Sequence, residues 1–252
     1  MRLIPLFLAA ALPVFAVDPP SPAPATDADG FVSLFNGTDL SRWRNGNVWW
    51  GTEGKPDTFS VRDGMIHSTG QPVGFIRSDQ QYENFILELE WRHLKRSGNA
   101  GLFVWSAPTD NPGKPFAKSI EVQILDHGYK EDYEKGGKKA TWFTCHGDVF
   151  AIHGQKLRPF APNDGNMRSF PSEERSKPSP EWNHYRVTCQ DGTVRLAVNG
   201  KDVSGGDGVL WRKGYLCLES EGSPVDFRNI RIKELPSANP KPEEIAPLAD
   251  PE

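Results

Sequence analysis

One segment of the chain alternates acidic and apolar residues with the period of a β-strand. Residues 87–92 read Leu-Glu-Leu-Glu-Trp-Arg. Successive side chains of a strand point to opposite faces, so Glu88, Glu90 and Arg92 share one face and the apolar residues share the other. Carboxylates on one surface can act as general acids and bases. We therefore treat this face as a candidate catalytic or binding surface.

A second segment, residues 120–124, repeats the pattern as Ile-Glu-Val-Gln-Ile and places Glu121 and Gln123 together. We expect the polar faces of the two segments to converge in a single hollow, with Glu90 close to Glu121. An antiparallel sheet with one solvated face would produce the same alternation without any function. Either segment by itself is explained by that simpler arrangement.

Residues near the two segments favour a functional surface. Arg77 ends one predicted strand, while Asn99 opens another and Trp105 closes it. The chain has eight tryptophans, and flat indole faces can stack on the C–H faces of sugar rings. Alternation directs Trp91 into the core. The tryptophan pair at residues 49–50 lies in a glycine-containing loop and is a candidate platform on which a sugar ring could stack.

Two histidines flank residues 147–152 and are candidates for binding. His146 and His153 could donate a proton or, with Asp148, ligate a divalent metal ion, because imidazole and carboxylate suit several such ions. Their spacing forms no compact cluster, so we assign no metal site, and a cofactor requirement is left open. Structural or solvent-exposed roles are expected for the remaining histidines: His67, His93, His127 and His184.

The elements that must position these residues are mostly strands, since period-two stretches recur along the chain and helical periodicity is scarce. Asp63-Gly64, Asp191-Gly192 and Asn199-Gly200 are typical of tight hairpin turns. Residues 127–180 are rich in Gly, Pro and charged residues, and we expect a long loop there, partly ordered at 141–152. Further strands are predicted at residues 75–77, 85–93, 100–105, 119–125, 185–189, 194–198, 201–203, 214–219 and 225–233.

The ends of the chain predict export and one folded domain. Residues 1–16 have the composition of a signal peptide cleaved after Ala16, and their apolar run is too short to span a membrane. Pro-rich segments at 17–29 and 236–252 flank a domain at 30–235. We expect a secreted or periplasmic protein without a membrane span after cleavage. The formal net charge of -4 and pI of about 5.9, without a basic stripe, argue against a nucleic-acid partner.

The chain has three cysteines, which cannot all pair with one another. Their wide spacing fits neither a zinc ribbon nor a redox dithiol. Cys189 and Cys217 lie in predicted strands, and a single disulfide bond between them is one interpretation. Buried free thiols are the other interpretation.

Several fragments resemble one protein family, the 3-keto-disaccharide hydrolase domain. The fragments are GFVSLFNGTDLSRW (30–43), FILELEW (85–91), SGNAGLF (97–103), EVQILD (121–126), EWN (181–183) and VDFRNI (225–230). Their order spans the folded region. The resemblance implies a concanavalin A-like jelly-roll sandwich of two antiparallel sheets, of which the concave sheet binds a sugar. It also implies that the substrate is an oxidised disaccharide or glycoside.

The resemblance also implies which residues could react. Related glucanases carry two catalytic carboxylates around a third acidic residue, and Glu121, Gln123 and Asp126 occupy those spacings here. The amide at the middle position weakens a conventional two-carboxylate mechanism. In a 3-keto sugar the ketone acidifies the C2 proton, so one base suffices for elimination. We expect Glu121, with its pKa raised by burial beside Glu90, to be that base.

The remaining predicted binding groups are Arg77, Asn99 and Gln123, which could donate hydrogen bonds to the developing oxyanion. Three interpretations stay open on the sequence. The first is a hydrolase or lyase acting on 3-keto glycosides, and the second is a lectin-like binding module with the same polar face but no working base. The third is a recognition domain appended to a larger assembly.

Overall fold

Two stacked antiparallel sheets make up the computed structural model, which describes residues 25–48, 57–110 and 113–250. The predicted signal peptide and the tryptophan pair at residues 49–50 lie outside the described residues. The strands are β1 (Val32–Ser33), β2 (Trp43–Asn45), β3 (Phe59–Arg62), β4 (Met65–Ser68), β5 (Gly74–Ser78), β6 (Phe85–His93), β7 (Asn99–Ser106), β8 (Ser119–Leu125), β9 (Val149–Ile152), β10 (Arg158–Pro159), β11 (Arg168–Ser169), β12 (Asn183–Gln190), β13 (Thr193–Val198), β14 (Lys201–Asp207), β15 (Tyr215–Ser220) and β16 (Val225–Glu234).

Two sheets share these strands. The nine-stranded sheet has the order β10-β14-β13-β12-β6-β16-β4-β3, with β1 also paired to β16. The seven-stranded sheet has the order β11-β9-β8-β7-β15-β5-β2. The predicted all-β jelly-roll sandwich is therefore confirmed. Across the described part of the chain, no helix is both long enough and apolar enough to span a bilayer.

The core lies between the sheets and follows the alternation of the strands. Leu87, Leu89 and Trp91 of β6 point inward from the nine-stranded sheet, as predicted for Trp91. Ile120 and Val122 of β8 meet them from the seven-stranded sheet. Full burial of such a side chain contributes about 1.5–3 kcal/mol to the stability of the fold. The packing of this layer therefore determines which face of these strands points away from the core.

Three hairpins form at the predicted turns. Asp63 and Gly64 have φ values of 50° and 72°, Asp191 and Gly192 have 51° and 77°, and Asn199 and Gly200 have 48° and 89°. Positive φ at both central residues suits the right-handed twist of the paired strands, and Asn, Asp and Gly adopt it at least cost. The turns join β3 to β4, β12 to β13 and β13 to β14.

The segment at 127–180 is more ordered than predicted. It begins with helix α1 (His127–Glu134), which the sequence did not indicate. Strands β9 and β11 then extend the seven-stranded sheet beyond β8, and β10 pairs with β14 of the other sheet. The segment thus adds strands to the edges of both sheets instead of forming one long loop.

The Pro-rich C-terminal segment packs along the domain. It contains a short 3-10 helix (Pro242–Glu244), and Ile245 forms a parallel bridge with Lys213. The Ala249 amide donates a hydrogen bond of 3.0 Å to the Tyr215 hydroxyl. The three cysteines are all buried and free, so the interpretation as buried thiols holds and the proposed disulfide bond does not form.

Candidate active site

The outer face of the seven-stranded sheet collects the polar residues that alternate with the core. On β8, Ile120, Val122 and Ile124 enter the core, which leaves Glu121 and Gln123 on the outer face. Gly101 of β7 pairs with Gln123 in the sheet register. The predicted Glu121 and Gln123 therefore share one surface, as their alternation indicated.

Because Gly101 has no side chain, it leaves a small gap between two carboxyl groups, which we call the hollow at Gly101. A Cβ atom at this position would lie 2.7 Å from Glu219 Oε2 and 3.0 Å from Glu121 Oε1. Both oxygens thus reach over the glycine from the strands on either side, and the two carboxyl groups are near neighbours. No larger residue could occupy the position without displacing one of them.

A third acid, Glu221, adjoins the pair through Asn99. Asn99 Nδ2 donates to Glu221 Oε2 at 2.5 Å, and Asn99 Oδ1 accepts from Gln123 Nε2 at 2.9 Å. Gln123 Nε2 also donates to the Ala100 carbonyl at 3.3 Å. The amides therefore connect Glu221 to the strand that carries Glu121.

Crowding of the three acids disfavours their charged forms. Burial, followed by the charge of Glu221, raises the pKa of Glu121 to about 8, although Arg168 opposes this shift. Burial raises the pKa of Glu221 to about 7. Burial and the two acidic neighbours raise the pKa of Glu219 well above its usual 4.5. The Glu219 side chain is completely buried, and neither carboxyl oxygen has a hydrogen-bond partner among the described residues.

A cation borders the acidic cluster on the β11 side. Arg168 Nη1 lies 3.0 Å from Asp148 Oδ2 and 3.5 Å from Gln123 Oε1. The guanidinium carbon is 3.4 Å from the centre of the Phe150 ring. Asp148 also accepts hydrogen bonds from the backbone and side chain of Thr144. Arg168 is therefore held in place beside Gln123 by an ion pair and an aromatic face.

Arg77 lies on the same outer face, one strand beyond Glu219. It pairs with Cys217 in the register of β5 and β15, two residues along β15 from Glu219. Its guanidinium carbon lies 5.1 Å from the centre of the Tyr215 ring, and Nη1 donates to the Ser78 carbonyl. Of the predicted binding residues, Arg77, Asn99 and Gln123 thus share the surface that carries Glu121.

The predicted convergence of Glu88 and Glu90 with Glu121 is wrong. Both residues are on β6 of the nine-stranded sheet, and the core separates that sheet from β8. Glu90 accepts a 2.6 Å hydrogen bond from Arg228 Nε, and Glu88 binds Arg231 and Arg186. Alternation determines the face of a strand that a side chain occupies, but it does not determine which sheet the strand joins.

Two other predicted residues have structural roles elsewhere. Asp126 caps helix α1 and accepts hydrogen bonds from the amides of Gly128, Ser97 and Ser179, so its carboxyl group is occupied by backbone donors. Trp105 has a φ of 51°, which breaks the alternation of β7 and directs its indole into the core. A strand pattern alone does not reveal either effect.

His146 and His153 have different neighbours. The Nδ1 atom of His146 lies 2.8 Å from Ser176 Oγ, and its ring is 4.6 Å from that of His127. His153 stacks on Phe116, with 6.5 Å between the ring centres. Neither is a partner of Asp148, so the three predicted groups form no joint site. Among the residues that the structure describes, no three His, Cys, Asp or Glu side chains are grouped to hold a metal ion.

Sequence reasoning missed Glu219, Glu221 and Arg168. A signal for Glu219 was present, since β15 alternates Leu216 and Leu218 in the core with Cys217 and Glu219 outside. Arg168 had no such signal, because β11 has only two residues and lies inside a segment that the sequence predicts to be a loop.

Comparisons with known proteins agree with this fold. A 3-keto-disaccharide hydrolase from Bacteroides thetaiotaomicron is 22% identical over 257 residues, which cover 83% of this chain and 80% of that protein. A crystal structure of a candidate glycosyl hydrolase from Parabacteroides distasonis is 23% identical, covers 83% of this chain and 95% of its own, and has a TM-score of 0.57. The exoplasmic/lumenal domain of VIP36 is 9% identical, covers 86% of this chain and 93% of its own, and has a TM-score of 0.52.

The two solved structures support the sandwich fold alone, because their sequence identities are low. The family is shown by a match over most of the chain, and that match contains every residue of the acidic cluster and Arg168. A model of the 3-keto-alpha-glucoside-1,2-lyase-like domain matches residues 30–233. The chain belongs to this domain family.

Proposed function

We propose that the protein cleaves 3-keto glycosides by removing the C2 proton, eliminating the glycosidic oxygen and then adding water. One observation carries the proposal: Glu121 and Glu219 meet at the hollow at Gly101, with Glu221 beside them through Asn99 and with amide and guanidinium donors nearby. The relative from Bacteroides thetaiotaomicron, which is named a 3-keto-disaccharide hydrolase, agrees with this substrate class.

Glu121 is the proposed base. Its raised pKa of about 8 makes its carboxylate a stronger base than an ordinary glutamate, and a base with a pKa near the working pH is the most effective. The C2 proton of a 3-keto sugar is acidic because the neighbouring ketone accepts the resulting charge. General-base catalysis of this kind contributes about 10²- to 10⁴-fold to the rate.

Arg168 is the proposed stabiliser of the enolate oxygen at C3. A guanidinium has five N–H donors, and Nη1 alone makes the contacts to Asp148 and Gln123. The ion pair with Asp148 holds the guanidinium before the substrate arrives, so little reorganisation is needed as the charge develops. Asn99 and Gln123 keep Glu221 beside the hollow through their mutual hydrogen bonds.

Glu221 is the proposed acid. It is less buried than Glu121 and Glu219, and its pKa of about 7, raised by burial, keeps much of it protonated at neutral pH. The electron pair of the broken C2–H bond first enters the enolate; as the enolate collapses back to the ketone, this pair forms the C1–C2 double bond, the bond from C1 to the glycosidic oxygen breaks, and Glu221 protonates that oxygen. Water then adds at C1 while C2 regains a proton, which completes a net hydrolysis.

Replacing Glu121 with glutamine tests the assignment. Glu121→Gln keeps the shape of the neutral carboxyl group, so the variant should fold while losing turnover of a 3-keto disaccharide. Glu90→Gln is the matched control, since this glutamate lies on the opposite sheet, and it should retain activity. Full activity of Glu121→Gln would remove Glu121 from the mechanism.

The choice of substrate separates this mechanism from the other interpretations. A 3-keto disaccharide should release sugar while the matched unoxidised disaccharide does not, and deuterium at C2 should slow the release. Cleavage of the unoxidised sugar without an isotope effect would indicate a conventional two-carboxylate glycosidase. Saturable binding without release would indicate a lectin-like module.

We also propose that the protein is exported to the periplasm or secreted, on the strength of the apolar stretch within residues 1–16. Expression of the full chain in a Gram-negative host, followed by fractionation and N-terminal sequencing, tests this. A mature protein that begins at Val17 outside the cytoplasm is expected. Cytoplasmic protein that keeps residues 1–16 would contradict export.

A further inference from the structure

Trp142 is an exposed aromatic residue beside the acidic cluster. With 51% of its surface accessible, it is the only exposed aromatic side chain within the described ranges. Trp43, Trp91 and Trp105, by contrast, are buried in the core. Covering a large solvent-exposed apolar face with a ligand removes that surface from water, which stabilises the complex.

The Trp142 indole packs against a buried aromatic cluster. Its ring centre lies 4.7 Å from that of the buried Phe143. Phe143 in turn makes edge contacts with Tyr129 and Tyr133 of helix α1, at 5.8 and 5.3 Å. Glu134, the last residue of α1, accepts a 3.0 Å hydrogen bond from the Ala140 amide and closes the connecting loop. Such support means that little conformational entropy is lost when a ligand stacks on the ring.

Arg168 connects the indole to the acidic cluster. Its guanidinium carbon lies 5.5 Å from the centre of the Trp142 ring, and its Nη1 reaches Gln123. Gln123 pairs with Gly101, where the carboxyl groups meet. From β7 through β8 and β9 to β11 there are three strand spacings, or roughly 14 Å. That span leaves room for a second sugar ring beyond one placed over Gly101.

We infer that Trp142 is the stacking platform for the leaving sugar of a disaccharide whose oxidised ring lies over Gly101. The inference rests on the proposed function and specifies its substrate as one with a ring-shaped leaving group. Phe150 already covers one face of Arg168 at 3.4 Å, so shielding of the cation does not require Trp142.

Two substrates and three variants test the platform. Trp142→Ala should raise KM for a 3-keto disaccharide about 10- to 100-fold, because the stacking face is lost. The same variant should change kinetics on the methyl 3-keto glucoside less than about threefold, since a methyl leaving group has no ring to stack. Trp142→Phe should restore most of the affinity. Leu210→Ala, which trims another exposed apolar side chain, should behave as wild type.

Equal losses on both substrates would show that Trp142 serves only to cover Arg168, and would overturn the inference. An unchanged KM for the disaccharide in Trp142→Ala would overturn it as well. If the wild type cleaves neither substrate, the proposed function fails, and calorimetric binding of the disaccharide becomes the readout. Binding that weakens in Trp142→Ala but not in Leu210→Ala would then support the platform, and no binding to wild type would overturn it.

Discussion

Replacing Glu219 with glutamine should change how the stability of the protein depends on pH. The Glu219 carboxyl group is completely buried, lacks hydrogen-bond partners in the described part of the chain and has Glu121 and Glu221 as neighbours. Burial, then the two acidic neighbours, raises its pKa well above the 4.5 at which it ionises in the unfolded chain. The folded protein therefore retains a proton that the unfolded chain releases.

The sign of the effect follows from proton linkage. Above pH 4.5 and below the folded-state pKa, folded Glu219 binds one proton more than unfolded Glu219. Stability then falls as pH rises, by about 1.4 kcal/mol per pH unit for one such group. A carboxyl group in a salt bridge has the opposite dependence. Glutamine does not titrate, so Glu219→Gln should make the slope shallower by about this amount.

Urea unfolding at several pH values between 5.5 and 7 measures these slopes. Glu88→Gln is the control: burial acts to raise the pKa of Glu88, but hydrogen bonds from Arg231 and Arg186 outweigh it and lower the pKa. Glu88 is thus ionised in both states across this range, and its removal should leave the slope unchanged. If Glu219→Gln kept the wild-type slope, Glu219 would be ionised in the folded protein and the argument from burial would be refuted.

Three further outcomes are expected. Glu121 must lose its proton to act as a base while Glu221 must keep its own, and burial raises their pKa values to about 8 and about 7; kcat/KM should therefore rise about tenfold per pH unit below pH 7, level off between pH 7 and 8 and fall above pH 8, and a flat profile below pH 7 would contradict the role of Glu121. Gly101→Ala places a Cβ 2.7 Å from Glu219 Oε2, and the displaced carboxyl groups should cost about 100-fold in kcat with an unchanged circular dichroism spectrum; wild-type kcat would show that the hollow is not used. The three buried thiols should react with a thiol reagent only after unfolding. Addition of a reductant should leave the melting temperature unchanged, and a decrease in the melting temperature would reveal a disulfide bond.

Much of the local structure could be predicted from the sequence. The predicted strands at 85–93 and 119–125 have the same bounds as β6 and β8. Tight turns form at Asp63-Gly64, at Asp191-Gly192 and at Asn199-Gly200, with positive φ at each residue. These features depend on interactions within a few residues, namely alternating burial and the steric freedom of Gly, Asn and Asp.

The composition of the site could be predicted only in part. Glu121 and Gln123 were found because both lie on β8, where alternation determines their common face. Glu219 and Glu221 come from the region of β15, a hundred residues further along, and reach the site because β15 pairs with β7. Glu90 showed the same local pattern as Glu121, yet β6 pairs with β12 and β16 in the other sheet.

By itself, the sequence thus determined the strands, their turns and the direction of each side chain, because local sterics and the period of two decide these. Only the tertiary structure decided which strands became neighbours, since pairing is chosen by the packing of the whole core. That choice gathered three acids around Gly101 and left Glu88 and Glu90 in ion pairs on the far side. The raised pKa values of the cluster follow from it, because burial and charge crowding exist only after distant strands have met.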